Sequence, residues 1–160
     1  MSATQKNAKS QKFQKIAQIG IKYEKYHELE RTRIKTSMDT YNIFMEVWDM
    51  DTFDYQESLW MIFLDRGNFV LGVSQVSIGS CAGTIVDPKS VFGRALLVHA
   101  SYILLAHNHP SGNLNPSQAD IDITRKLTEG GNLLEIKVLD HLILTRQSYY
   151  SFADEGMMNY

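Results

Sequence analysis

Hydrophobic positions recur along this chain with two spacings, one typical of helices and one typical of strands. Apolar residues three or four positions apart predict an amphipathic helix over about 10–26, with helical character reaching Lys35, and a second helix over 39–49. Runs rich in large apolar residues predict strands. These strands lie at 58–64, 69–77, 103–109 and 136–144, the last as one bent strand or two short ones.

Capping residues predict two further helices. Asp87 followed by Pro88 is typical of a helix start, and Ser117 begins another helix that we expect to end near 128–129, because Gly130-Gly131 follows. In the helix that starts at Pro88, the residues expected to face the sheet are Val91, Phe92, Ala95, Leu96 and Ala100.

The order helix, hairpin, helix, strand, helix and strand pair predicts an α/β fold in three layers, with a mixed, curved sheet between helices. At 160 residues the chain is long enough for one domain with a sizeable core and too short for two. We therefore expect a domain over residues 37–160, preceded by a lysine-rich helical extension over 1–36.

Composition limits the functional classes. Hydrophobic residues make up 44% and charged residues 21% of the chain, as in ordinary globular proteins. Cys81 is the single cysteine, which excludes an internal disulfide and favours a reducing compartment. No apolar run approaches the ~20 residues of a membrane span and no secretory signal is evident, so we expect a cytoplasmic protein that does not enter membranes.

Charge is unevenly distributed. The net charge is −2, so the chain as a whole lacks the positive field of a protein that tracks phosphates. Residues 1–26 nevertheless contain six lysines and one acid. A solvated helix face is the simpler interpretation of these lysines, so we expect weak or no nucleic-acid binding, and any such binding through this segment. The sequence does not determine the oligomeric state.

The candidate chemistry lies in the stretch 103–124. An apolar strand ends in His107 and His109, and a loop then leads to the helix that starts at Ser117. Since alternate side chains of a strand share a face, both imidazoles can reach one point. Asp120, in the first helical turn, can supply a third ligand. Two nitrogens and one carboxylate leave a tetrahedral position for water, which is the composition of a catalytic zinc site.

The same residues admit another interpretation. Ser117 with Asp120 three residues later is also a helix N-cap followed by an acid, a pattern that needs no metal. The two histidines at a strand end, joined to an acid by a turn-rich loop, favour the metal. Other zinc chemistries fit less well. A zinc deaminase needs a Cys-x-x-Cys and a glutamate where His109 stands, and a metallo-β-lactamase-like site needs Asp-His where Pro110-Ser111 follows.

The spacing His-x-His, seven residues, Ser, two residues, Asp resembles the JAMM signature of MPN-type metallopeptidases. It is met by His107, His109, Ser117 and Asp120. The sequence His-Asn-His-Pro-Ser-Gly at 107–112 is similar, more narrowly, to the RadC-like branch of that superfamily, as are Val138-Leu-Asp-His141 and the later Ser151-Phe152. The resemblance covers roughly residues 40–155 and implies an MPN/JAMM-like three-layer fold.

This resemblance implies a Zn²⁺-dependent peptidase that hydrolyses an amide or isopeptide bond of a peptide or protein substrate. The implied zinc ligands are His107, His109 and Asp120. Glu57, just before a strand that ends in Leu64-Asp65, would act as the general base, with Asp54 as the alternative. Ser117 would hydrogen-bond the developing oxyanion.

Other residues complete the expectations. His141 is interpreted as a structural or supporting histidine rather than a fourth ligand, and His99 as a helix-surface or interface residue rather than a ligand. RadC-like proteins usually carry His-Pro-Arg where this chain has Asp87-Pro88-Lys89, which leaves surface contacts and substrate preference open. Two alternatives to a peptidase also stay open: a DNA-repair-associated or nucleic-acid-associated module, and a scaffold without catalysis.

Overall fold

The computed structural model describes residues 31–79 and 86–158. The predicted helix over 10–26, its lysines and Cys81 lie outside these ranges, so the expectations attached to them stay predictions. Within the described ranges, no helix combines the length and the hydropathy that crossing a membrane requires.

The described part of the chain forms three helices and five strands. The helices are α1 (Ser37–Val47), α2 (Pro88–Leu97) and α3 (Gln118–Leu133). The strands are β1 (Ser58–Leu64), β2 (Val70–Ile78), β3 (Tyr102–Asn108), β4 (Lys137–Leu144) and β5 (Tyr149–Ser151). The observed bounds of β1 equal the predicted ones, and those of β2 differ from the prediction by one residue.

The five strands form one sheet in the order β2-β1-β3-β4-β5. The pair β3–β4 is parallel and the other three pairs are antiparallel, which confirms the predicted mixed sheet. Parallel neighbours need a crossover connection, and α3 provides it between β3 and β4. The N-terminus of α3 therefore lies just after the carboxyl end of the central strand β3.

A hydrophobic core lies on each face of the sheet because side chains alternate along β1 and β3. One core contains Met61, Phe63, Ile103 and Leu105 together with Phe92 of α2 and Leu127 of α3. The other contains Ile62, Leu64, Leu104 and Ala106 together with Phe44 of α1 and Trp48 just after it. Helices thus cover both faces, and the predicted three-layer α/β fold is confirmed.

Gly130 and Gly131 do not end α3, which continues to Leu133. The prediction treated the glycines as helix terminators, but here they permit close packing. A Cβ atom on Gly131 would lie 2.3 Å from the carbonyl oxygen of Ile136, and one on Gly130 would lie 3.1 Å from the ring of Phe92. The predicted helix end is therefore wrong, because contacts outside the helix decide the residue type.

Two other local predictions are wrong. Residues 31–36 are not helical, since Arg33 forms an antiparallel bridge with Phe69 and Ile34 lies in the core beside α1. Leu96 does not face the sheet, because it is 52% exposed while the adjacent Ala95 is buried. The buried residues of α2 are Val91, Phe92 and Ala95.

The start of α2 is as predicted. The Asp87 carboxylate accepts a hydrogen bond from the backbone N–H of Lys89 at 3.0 Å, and Pro88 is the first helical residue. Asp87 in place of the usual histidine therefore supplies a side-chain cap. His99 is exposed, as expected, but it lies just beyond the end of α2 at Leu97 and not on the helix.

Candidate metal centre

The carboxyl end of β3 presents two histidines to one side of the sheet. His107 lies opposite Leu59 of β1 and Ile143 of β4. The His109 amide extends the ladder by donating to the Leu144 carbonyl at 3.0 Å. The Nε2 atoms of the two histidines lie 3.0 Å apart, as the alternation of side chains along a strand predicts.

The N-terminus of α3 brings Asp120 to the same point. Its Oδ1 lies 3.2 Å from Nε2 of His107 and its Oδ2 lies 3.6 Å from Nε2 of His109. One ligand atom from each residue lies within 4.8 Å of the others. Asp120 also closes the cap, since its Oδ2 accepts from the Ser117 backbone N–H at 2.7 Å. Capping and convergence with the histidines, which the sequence left as alternatives, occur together.

The histidines dominate the ionisation of Asp120. Burial raises the pKa of the Asp120 carboxyl, but its contacts with the His107 and His109 rings and the hydrogen bond from Ser117 outweigh burial and hold the pKa well below its usual range. The hydrogen bond to Asp120 also raises the pKa of His109 against partial burial, with a smaller contribution from the Glu57 carboxylate. Asp120 is therefore ionised at neutral pH, as a metal ligand must be.

Each histidine is oriented through its Nδ1 atom. Nδ1 of His109 lies 2.6 Å from the Asn113 carbonyl oxygen, so it carries the proton, and Nε2 is left to face Asp120. Nδ1 of His107 lies 2.8 Å from Nε2 of His141. Burial lowers the pKa of His141, which is neutral and stacks on Phe152. His141 thus lies behind His107, outside the group of converging ligand atoms.

Glu57 immediately precedes β1 and lies beside the end of β3, because these two strands are antiparallel. It is half-buried and lines the same cleft as His109 and Asp120, with a volume of about 1080 Å³. Its backbone carbonyl accepts from the Gly79 N–H at 2.8 Å. The structure therefore places Glu57 at the edge of the candidate metal centre.

Asn108, a residue that the sequence analysis did not single out, holds the segment that carries Glu57. Its fully buried side chain accepts from the Ser58 N–H at 2.8 Å and donates to the carbonyls of Phe53 at 2.6 Å and Gln56 at 2.9 Å. The signal was available in the sequence: an amide inside an apolar strand must find hydrogen-bond partners when buried.

The remaining candidates are placed less directly. Oγ of Ser117 donates to Oδ2 of Asp120 at 2.6 Å, so it must rotate before it can donate to a substrate oxygen.

Asp54 lines the cleft, but both of its carboxylate oxygens accept from Nε of Arg146, at 2.9 and 2.7 Å. The carboxylate of Asp54 is thus engaged by the guanidinium of Arg146. Which of Glu57 and Asp54 acts as the base stays a prediction.

Comparison with known proteins identifies the family. A family model described as the RadC-like JAB domain matches residues 34–157. A UPF0758 protein of Flavobacterium johnsoniae is 44% identical over 129 residues, which cover 81% of this chain and 55% of that protein. A UPF0758 protein of Clostridium acetobutylicum is 34% identical over 152 residues, covering 95% of this chain and 65% of that protein.

A UPF0758 protein of Geotalea uraniireducens is 48% identical over 103 residues, covering 64% of this chain and 45% of that protein. The chain spans between about half and two thirds of the length of these relatives. The family match begins at Ile34, the residue with which the described core also begins. Together the fold, the converging residues and these matches show that the chain belongs to the RadC-like JAB domain family.

Proposed function

We propose that this chain is a zinc-dependent hydrolase of the JAMM type that cleaves an amide or isopeptide bond in a peptide or protein. One observation carries the proposal. Nε2 of His107, Nε2 of His109 and the carboxylate of Asp120 converge within 4.8 Å, in a cleft that Glu57 also lines.

The donor set fits zinc. Two imidazole nitrogens and one carboxylate are a common ligand set of catalytic zinc sites, and both imidazoles are held from behind through Nδ1, as zinc ligands usually are. When bound, zinc supplies Lewis acidity, which polarises a carbonyl and brings the pKa of a coordinated water toward ~7. His107, His109 and Asp120 are the residues that would hold it.

Glu57 is the proton carrier in this proposal. It accepts a proton from water as the water oxygen bonds to the amide carbon, and it delivers a proton to the nitrogen as the carbon–nitrogen bond breaks. The products are a carboxylic acid and an amine. Ser117 turns its hydroxyl from Asp120 to the carbonyl oxygen, where negative charge develops. Asn108 acts earlier, by fixing the segment that carries Glu57.

The cleft favours an extended peptide segment as substrate. Its volume of about 1080 Å³ is at the upper end of the ~300–1,000 Å³ typical of ligand pockets, which is room for a peptide segment. Leu59, Val86 and Ile123 line the cleft beside the polar site residues. A substrate with an aliphatic side chain next to the scissile bond would bury that side chain against them.

The test uses the full chain loaded with one equivalent of zinc and a broad peptide library, with cleavage followed by mass spectrometry. We expect cleavage that a chelator abolishes and that zinc restores. Glu57→Gln is the matched control, because it preserves the shape of the side chain and removes the proton acceptor. A chain that takes up no zinc, or a chelator-insensitive cleavage, would contradict the proposal.

The lysine-rich segment supports a second candidate function, association with nucleic acid. Its six lysines lie within residues 1–26, and phosphate binding by such residues weakens steeply with salt. A chain starting at Arg31 keeps Ile34 in the core and removes these lysines. We expect weak, salt-sensitive DNA binding by the full chain and none by the shortened one. Tight binding by the shortened chain would instead assign nucleic-acid recognition to the domain.

A further inference from the structure

Two buried polar residues that the proposed reaction does not use connect two of the candidate ligands. Thr124 of α3 is 0% exposed and His141 of β4 is 1% exposed. Oγ1 of Thr124 lies 2.6 Å from Nδ1 of His141, and Nε2 of His141 lies 2.8 Å from Nδ1 of His107. Oγ1 of Thr124 also donates to the backbone carbonyl of Asp120 at 2.5 Å. A continuous chain of hydrogen bonds therefore runs from Asp120 to His107.

The Asp120 carbonyl gives this chain a direction. A carbonyl only accepts, so the Thr124 hydroxyl hydrogen points toward it, and the hydroxyl oxygen is free to accept from Nδ1–H of His141. A neutral imidazole with its proton on Nδ1 accepts at Nε2. His107 then donates from Nδ1 and keeps an unprotonated Nε2. In this direction every member of the chain has a partner.

The opposite direction produces a different site. If the Thr124 hydroxyl donated to Nδ1 of His141, then His141 would donate from Nε2 to Nδ1 of His107. The proton of His107 would then sit on Nε2, the atom 3.2 Å from Oδ1 of Asp120. A protonated Nε2 cannot bind a metal, so this direction competes with metal binding.

We infer that Thr124 and His141 are positioning residues that set the tautomer of His107 and thereby raise the affinity of the site for zinc. The inference rests on the proposed metal centre. It adds that the Thr124 hydroxyl, acting through His141, decides whether Nε2 of His107 presents a lone pair to the metal.

The surrounding packing keeps this chain in place. The His141 ring stacks on Phe152 with 5.1 Å between centroids and 14° between planes. The Phe152 N–H donates to the His141 carbonyl at 3.0 Å. Asp140 fixes the same segment by accepting from Ser151 and Ala153. His141 therefore cannot turn to find another donor or acceptor.

The experiment compares zinc affinity in Thr124→Val, Thr124→Ser and Thr128→Val with the wild-type chain, by competition with a chromogenic chelator. Thr124→Val keeps the shape and removes the hydroxyl, so His141 loses its acceptor at Nδ1. Loss of such a supporting group typically weakens metal binding roughly 10- to 100-fold, and we expect a loss in that range. Thr124→Ser restores the hydroxyl and should bind zinc almost as the wild type does.

Thr128→Val is the matched control. Thr128 lies one turn further along α3, is also buried, and donates to a backbone carbonyl, that of Thr124, at 2.9 Å. The substitution therefore removes the same hydroxyl from the same helix without touching a histidine. We expect zinc affinity to be unchanged, so a loss in both valine variants would mean that the effect is one of general stability and would overturn the inference.

A second measurement observes the tautomer itself. Long-range ¹H–¹⁵N correlation spectra of histidine-labelled protein distinguish a proton on Nδ1 from one on Nε2. In the zinc-free wild type and in Thr124→Ser we expect His107 to carry it on Nδ1, and in Thr124→Val on Nε2. Equal zinc affinity and equal tautomers in Thr124→Val and wild type would overturn the inference but leave the zinc centre intact. A wild-type chain that binds no zinc would overturn both.

Discussion

Asp120 and Asp140 are both shielded carboxylates, and their pKa values move in opposite directions. Burial opposes ionisation of each. At Asp120, the contacts of the carboxylate with the His107 and His109 rings outweigh burial and lower the pKa. At Asp140, burial prevails and raises the pKa, because the hydrogen bonds to its carboxylate come from neutral donors. These donors are the Ser151 hydroxyl and the backbone amides of His141 and Ala153.

The difference separates a candidate functional carboxylate from an architectural one. Asp140 ties β4 to the C-terminal turn and so holds Phe152 against His141. Asp120 keeps 14% of its side chain exposed and faces the cleft with two ionisable partners. Burial of an acid therefore does not identify a site by itself. Ionisable partners and access from solvent are what mark a buried acid as a candidate functional residue.

The largest expected effect is that of Asp120→Asn on zinc affinity. Asparagine is also a good capping residue, so the free energy of unfolding of the zinc-free protein should change by only about 1 kcal/mol. Zinc affinity should fall by more than the roughly 100-fold that loss of a supporting group can cost. Zinc titration against a competing chelator measures this, with Asp140→Asn as the control. Unchanged affinity in Asp120→Asn would remove Asp120 from the site.

Glu57→Gln extends the comparison to the carboxylate that we propose as the general base and that should not ligate the metal. Loss of a general base costs ~10²- to 10⁴-fold in rate, and we expect a fall of that size in the cleavage rate. Zinc content, by mass spectrometry, and the melting temperature should stay near wild type. Unreduced cleavage would show that another group takes the proton, whereas loss of zinc would make Glu57 a ligand.

Ser151 donates to Asp140 and Ser117 donates to Asp120, and substitution of the two serines should have different effects. Each hydroxyl lies 2.6 Å from its carboxylate. Ser151→Ala leaves the buried Asp140 short of a donor and should lower the free energy of unfolding by about 1–3 kcal/mol without changing zinc affinity. Ser117→Ala removes a helix cap, at about 0.5–2 kcal/mol, and should also slow cleavage by ~10²- to 10³-fold. Urea unfolding and single-turnover kinetics separate the two effects. Equal cleavage rates would exclude an oxyanion role for Ser117.

The smallest expected effect is that of Asp140→Asn on stability. The asparagine carbonyl can accept from the His141 and Ala153 amides, and its NH₂ group can donate to the Ser151 hydroxyl, so the change at neutral pH should stay within about 1 kcal/mol. A carboxyl whose pKa is raised by folding adds stability below its unfolded pKa of about 3.9. That stability is lost as pH rises through the folded pKa.

Asp140→Asn should therefore gain stability relative to the wild type as pH rises above about 4. Urea unfolding of both proteins across this pH range measures the difference. A variant that loses stability relative to the wild type as pH rises would show that Asp140 is ionised and stabilised in the folded protein, contrary to the effect of burial.

The sequence by itself determined the elements whose signals are local. The apolar run at 58–64 predicted β1, and Asp87-Pro88 predicted the start of α2, because strand periodicity and helix caps depend on neighbours along the chain. The spacing of His107, His109 and Asp120 predicted their convergence, since one strand end and the first turn of the next helix lie at the same edge of the sheet.

Only the tertiary structure determined which residues hold the candidate ligands and Glu57 in place. Asn108 pairs with a segment 50 to 55 residues away, and His107 pairs with His141, which is 34 residues away. Gly131 is explained by the approach of Ile136, not by the end of its helix. Such residues meet only after β1, β3 and β4 have paired and α3 has packed. The requirement that buried polar groups find partners then fixes which atoms meet, and no local pattern in the sequence carries that information.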